Sequence, residues 1–288
     1  MTVIHPTAVV SPRAELGKDV SVGPYAVIGD NVIIGDGTMV GPHVVVDGWT
    51  NVGKHNQIFT GAVIGSQSQD LKYKGARTFC NIGDHNTIRE YVTINRATIP
   101  EATTSLGNYN AILAYCHVAH DCVLGNHITV SNVTTLAGHV RVDDRAGLGG
   151  YVGVHQFSQI GTLAYIGGWS KVVQDVPPFI RVSGAPLKVY GLNVVGLERA
   201  EVNSASRHAL RQAYTLLYRS NHNVSQAVDL IRSGVLPCPE IEALLEFLAR
   251  STRGICRRFD AENADDPTFA GSEGSDFDNG TSHDSSNH

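Results

Sequence analysis

The residues best suited to chemistry are three histidines in the middle of the chain, His117, His120 and His139, with Asp121 directly after the second. An imidazole accepts a proton near neutral pH. A carboxylate beside it fixes its tautomer, and a glycine N–H can lie close to a developing oxyanion. Acyl transfer to a hydroxyl or amine needs that set. Spacing joins the candidates: eighteen residues on from His120 is Gly138, eighteen further is Gln156, and Asp121 leads to His139 in the same way. In a fold whose coil is eighteen residues long, the first three share one column and the other two the next. A histidine cluster also suits zinc, but no carboxylate or thiol completes a ligand set at an obvious spacing, so no metal is expected. His155 reads as a surface residue on pattern alone.

The elements that hold these columns are hexads. Stepping by six from Ile4 to Val172, 26 of 29 positions are Ile, Val or Leu; the exceptions are Asp70, Ala76 and Pro100. Gly often follows the aliphatic, as at Gly23, Gly35 and Gly53, and small, β-branched or Asn residues dominate four positions after it. A period of six fits neither an α-helix nor one long strand. It fits a three-sided coil of short strands, a parallel β-helix, with the aliphatic pointing inward. The glycines are expected to relieve backbone strain at the corners. The failing positions mark two polar excursions, about 67–81 and 95–105, where loops leave a rigid scaffold and tend to carry function.

Two prolines, Pro177 and Pro178, are expected to stop the ladder. The β-helix domain therefore runs over 1–180, followed by a connection over 181–197. Apolar periodicity predicts helices around Ala209–Leu217, Val224–Ile231 and Pro239–Ala249, a small helical domain over 198–258 that covers the open end of the prism. Residues 259–288 hold eight acids and no Lys or Arg, so the formal charge of −5 for the whole chain leaves +3 for the body. That stretch is expected to be a disordered acidic tail. A mildly basic body does not suggest nucleic acid. Five cysteines without a C-x-x-C point to free buried thiols rather than disulfides or a zinc site. Neither a signal-peptide pattern nor an apolar membrane span is present, which implies a cytoplasmic protein.

The segments QDLKY (69–73), NTIREYVTI (86–94), AHDC (119–122), TLAGHV (135–140), VHQF (154–157), QDVPP (174–178) and ARSTRG (249–254) together make the match specific. The chain resembles the UDP-N-acetylglucosamine O-acyltransferases of lipid A biosynthesis. The resemblance implies a left-handed parallel β-helix of hexapeptide repeats with a small C-terminal α-helical domain, assembled as a homotrimer with sites between subunits. It implies an acyl thioester, commonly (R)-3-hydroxyacyl, delivered by acyl carrier protein, and no cofactor. By resemblance His120 is the general base for the sugar 3-hydroxyl, Asp121 orients it, and the Gly138 N–H holds the oxyanion. Asp70 and Lys72 contact the sugar nucleotide. His117, His139 and Gln156 line the sugar and acyl pocket. Asn193 and Arg199 approach the uridine and phosphates. Gly168 matches the position that limits acyl length and argues for a longer chain, with Tyr165 beside it. Without its QDLKY setting, Lys72 reads as a solvated loop cation.

The chain departs from the family pattern at Asn95, where a His is familiar, at Val195, where a Glu is, and at Ala200, where a second Arg is. Three other readings stay open at this stage. One is a related transferase using a 3-amino sugar nucleotide. Another uses acetyl-CoA. The third is a trimeric β-helix scaffold without activity.

Overall fold

The computed structural model of the chain describes residues 1–257; the stretch 259–288, expected to be an acidic tail, lies outside the described residues. Strands of mostly two to four residues stack into three sheets, of 11, 9 and 8 strands, that form the faces of a prism and are parallel except for the last pair of the first. The first sheet starts at Val3–Ile4, the second at Val9–Val10 and the third at Glu15–Leu16. Successive coils lie eighteen residues apart, with Ile4 opposite Val22 and Leu136 opposite Val154. The two excursions lengthen two coils, and the register shifts locally where Ser66 comes opposite Asn95. Trp49 pairs with Phe79 across the first, and Thr93 with His117 across the second. The protein is therefore mainly β, a parallel β-helix with a small helical part behind it.

The interior is one continuous column of aliphatic side chains, among them Val22, Ile28, Ile34, Ile88, Ile112 and Leu136, all buried. Among the small polar residues that alternate with them, the asparagines form a ladder. Asn86 and Asn110 donate their amides to the side-chain oxygens of Asn56 and Asn86, each at 3.0 Å, and to the carbonyls of Gly107 and Gly125. A buried amide that is fully hydrogen-bonded fixes register as well as filling space.

The role expected for the glycines needs correction. Most of those after the inward aliphatic, such as Gly23, Gly35 and Gly53, do not have positive φ; Gly65, at φ +76°, does. A Cβ on Gly35 would lie 2.7 Å from the Gly53 backbone, so glycine is required there by the approach of the next coil. The strained torsion falls two residues later, on side chains of every size: Tyr25, His43, His85, Tyr109, Asp121, His139 and Phe157 all have φ near +60°. Their rings stack from coil to coil, as in His85–Tyr109 at 4.8 Å and Tyr109–His127 at 5.0 Å. Stacking of this kind offsets part of the roughly 1–2 kcal/mol that a left-handed L-residue costs.

The prolines end the ladder only in part. Gln159–Ile160 is the last strand of the third sheet, but Ile180–Ser183 pairs in parallel with Tyr165–Ile166 and extends the first sheet past them. The stretch read as a connection, 181–197, is more ordered than that. Ile180–Ser183 forms an antiparallel hairpin with Lys188–Leu192, and helix α1 follows at Val194–Arg199. The β-branched start of α1 hides it from periodicity, and the Asn193 side chain caps it by accepting from the Gly196 N–H. Helices α2 (Ser204–Tyr218), α3 (Val224–Gly234) and α4 (Pro239–Arg250) follow. The segment around α4 docks on the prism through Arg250, which bonds Gln159 and Asp143, and through Ser251, whose hydroxyl donates to the buried Asp175.

Candidate active site

The corner between the second and third sheets carries the histidine columns. His117 lies on the second sheet, in strand His117–Val118, and the chain turns through Ala119, His120 and Asp121. His120 Nδ1 is 2.8 Å from Asp121 Oδ2, which leaves Nε2 facing outward from that pair. The two side chains are 12% and 6% exposed, so the bond sits in a largely water-excluded place. The ring lies directly over Gly138 in the next coil: a Cβ there would be 2.4 Å from its Cε1 and 2.6 Å from its Nε2. Asp70 Oδ2, reaching in from the first excursion, is 3.9 Å from Nε2.

Gly138 is buried, and its N–H donates to no group among the described residues. At the opposite corner the equivalent amides are taken. Lys54, Asp84, Asn108 and Asn126 each donate theirs to an Asp or Asn side chain one coil on. A free amide beside an imidazole nitrogen is the arrangement that a tetrahedral oxyanion requires.

His139 sits in the neighbouring column, its ring stacked on Phe157 at 4.5 Å and edge-on to His120 at 5.2 Å. Its Nε2 is 3.7 Å from Asp121 Oδ2. His117 Nδ1 bonds the Thr93 hydroxyl at 2.7 Å. Burial, reinforced by the neighbouring His120, pushes the His117 imidazole below its ordinary value, so it faces the site as a neutral group. Gln156 and Lys72 are exposed; the Lys72 backbone N–H donates to Asp70 Oδ1 and so shapes the loop that carries both.

Sequence alone gave no carboxylate for a metal set, and here geometry corrects it. Donor atoms of His120, Asp121 and His139 lie within 4.8 Å of one another, so these three residues could hold an ion. The same Asp121 oxygen is engaged by the His120 ring nitrogen and by the Thr98 N–H at 3.0 Å, which suits an orienting carboxylate.

The chain does not bring every candidate to this corner. Asn193 lies at the corner between the third and first sheets, where its amide donates to the Leu163 carbonyl while its oxygen caps α1. Arg199, at the end of that helix, is exposed and without a hydrogen bond or ion pair among the described residues. Tyr165 is on the first sheet and Gly168 at the corner between the first and second, where a Cβ would meet only the Gly150 backbone, at 3.1 Å from its oxygen. Asn95 is 2% exposed, its amide holding Ser66 Oγ and the Gln67 carbonyl.

Several contributors had no sequence signal. The Asp121 N–H donates to Thr104 Oγ1 at 2.7 Å, and the Thr98 contact is made by backbone. Phe157 was within reach, since it stands eighteen residues after His139.

Two family descriptions match the chain: "Udp N-acetylglucosamine O-acyltransferase; Domain 2" over residues 175–256 and "Bacterial transferase hexapeptide (six repeats)" over residues 13–48. An acyl-(acyl-carrier-protein)–UDP-N-acetylglucosamine O-acyltransferase of Thermodesulfovibrio yellowstonii is 48% identical over 258 residues, covering 89% of this chain and 100% of that relative. The solved UDP-N-acetylglucosamine acyltransferase of Francisella novicida superposes with a TM-score of 0.86 at 36% identity, over 91% of this chain and 96% of that one. The Arabidopsis UDP-N-acetylglucosamine acyltransferase does so with a TM-score of 0.75 at 37% identity, over 88% and 100%.

Proposed function

This chain belongs to the UDP-N-acetylglucosamine O-acyltransferase family, and from that premise we propose that His120 is the general base that moves a 3-hydroxyacyl group from acyl carrier protein to the 3-hydroxyl of UDP-N-acetylglucosamine, the first step of lipid A biosynthesis. One observation carries the assignment: Asp121 holds Nδ1, so the lone pair of Nε2 is presented beside the unpaired Gly138 amide and the Asp70 carboxylate.

His120 Nε2 takes the proton of the 3-hydroxyl as that oxygen attacks the thioester carbonyl. The Gly138 N–H stabilises the oxyanion. Collapse of the intermediate breaks the C–S bond, and His120 returns its proton to the leaving thiol. No cofactor enters the scheme. Asp70 and Lys72 hold the sugar nucleotide, and His117, His139 and Gln156 line its surroundings. The acyl chain runs toward Gly168, where the absence of a side chain accommodates a long group, past Tyr165.

The active unit is a homotrimer in this reading. One chain keeps Asn193 and Arg199 a full corner away from His120, so a second copy supplies them to the nucleotide. Val195 and Ala200 leave Arg199 as the cation for the phosphates on that side. In this reading the enzyme works in the cytoplasm. No described helix is long and apolar enough to cross a membrane.

The test is transfer by His120→Ala, with product measured by mass spectrometry and assembly by light scattering. Loss of roughly 10²–10⁴-fold with an unchanged assembly is expected. Near-normal turnover would remove the base. A wild-type preference for acetyl-CoA over acyl carrier protein thioesters would overturn the donor assignment.

A further inference from the structure

The two excursions are tied to each other, and through Thr98 the second is tied to Asp121 of the catalytic pair. Most of the ties merely hold the first loop against the prism. The Arg96 guanidinium lies between the Trp49 and Tyr73 rings, at 5.9 and 5.8 Å, and donates to the Gly65 carbonyl and the Tyr73 hydroxyl. Asn95 holds Ser66 and Gln67. Neither reaches Asp121.

Ser68 is different. Its buried hydroxyl accepts the Asp70 N–H at 3.1 Å and is hydrogen-bonded to the Thr98 hydroxyl. Thr98 in turn gives its N–H to Asp121 Oδ2, the oxygen that faces His120 Nδ1. A β-branched side chain has few χ1 choices, so the Thr98 hydroxyl and amide move as one body. The other Asp121 oxygen is buried without a partner among the described residues. The carboxylate's orientation therefore depends on few bonds, and one of them is supplied by a loop whose hydroxyl is held from the loop bearing Asp70.

We propose that the Ser68–Thr98 hydroxyl pair is a positioning brace that couples occupation of the first excursion by the sugar nucleotide to alignment of the His120–Asp121 pair. It rests on the functional reading above, in which Asp70 and Lys72 meet that substrate. A loop drawn onto its ligand pulls Ser68, Ser68 fixes Thr98, and the Thr98 amide fixes the carboxylate that sets the imidazole.

The experiment uses the whole chain as wild type, Ser68→Ala, Thr98→Val and Thr98→Ser, with thermal unfolding as the check on folding. Hydrogen exchange of the 96–104 backbone is followed by mass spectrometry with and without UDP-N-acetylglucosamine, and kcat and KM are measured with an acyl carrier protein thioester. In the wild type the sugar nucleotide slows exchange in 96–104, although it touches the other loop. Ser68→Ala and Thr98→Val lose that response and exchange faster even without ligand. Their kcat falls about fivefold, the loss of one ordinary hydrogen bond, while KM for the sugar nucleotide stays within about twofold. Thr98→Ser restores both.

Exchange and kcat unchanged in both hydroxyl deletions would overturn the brace, as would a loss confined to KM. A wild type that neither responds to the sugar nucleotide nor turns over would instead overturn the functional reading. The ligand-free exchange rates would then still decide whether the two hydroxyls hold the loop.

Discussion

Gly138→Ala should disable the base without unfolding the protein. The added Cβ would stand 2.4 Å from His120 Cε1 and 2.6 Å from Nε2. Carbon atoms in contact keep about 3.5 Å apart, so the ring must retreat by about 1 Å. It cannot do so freely, because Nδ1 is bound to Asp121 at 2.8 Å and the side chain is 12% exposed. A misplacement of about 1 Å costs on the order of 10²-fold in rate, which is about 2.7 kcal/mol of barrier. The backbone has no objection, since φ at 138 is not positive. The stability penalty should fall within the roughly 1–3 kcal/mol typical of overpacking. The assay is kcat for acyl transfer at saturating substrates, read by mass spectrometry, with His120→Ala as the floor and thermal unfolding alongside. A folded Gly138→Ala protein within threefold of wild-type kcat would refute the placement of the imidazole over this glycine, and with it the role of His120.

Two further outcomes follow from the same coordinates. Burial lowers His117 from its ordinary 6.5, so below that value the native state binds fewer protons than the unfolded chain. This contribution to stability is intact above about pH 6.5 and is lost as pH falls from there through the lower native value. Urea titrations at about pH 7.5 and about pH 5.5 should show the decline, and His117→Gln should remove part of it; an unaltered pH dependence in the variant would contradict the assignment. In the core, Asn86→Leu removes the middle rung of the amide ladder and strands the Asn110 N–H and amide, which Asn86 accepts at 2.9 and 3.0 Å. A loss of about 3 kcal/mol or more is expected, with the urea midpoint reporting it; a shift under about 1 kcal/mol would mean the ladder contributes little.

How much was legible follows from what repeats. The inward aliphatics recur at every hexad, so the prism, its three faces and both excursions could be placed from spacing. The column arithmetic that sets His120 over Gly138 and His139 against Phe157 comes from the same period. The corner conformation was misassigned because glycine's freedom is only one reason for glycine. At Gly35 and Gly53 the next coil's backbone excludes a Cβ, while histidines and tyrosines as well as glycines such as Gly37 and Gly61 take the positive φ. Helix α1 was missed because six residues with two leading valines carry no usable period. The Thr98 amide could not have been found, since a backbone donor leaves no mark on residue type. Asn193 and Arg199 came from resemblance alone. Nothing in their spacing says which corner they occupy, and the structure sets them on a different one from the base.

The corner explains why two consecutive residues can act as a catalytic pair at all. In a strand, successive side chains point to opposite faces, so adjacent His and Asp would stand apart. At the turn, Asp121 takes φ +58°, which swings its carboxylate back beside the preceding ring and brings Oδ2 to 2.8 Å from Nδ1. One and two coils on, His139 and Phe157 take the same positive φ at this corner, and their rings stack at 4.5 Å. The site is thus a positive-φ corner that carries a carboxylate, with a ring one residue earlier and a glycine beneath that ring. The chemistry depends on the strained torsion, and the parallel ladder on both sides holds that torsion in place.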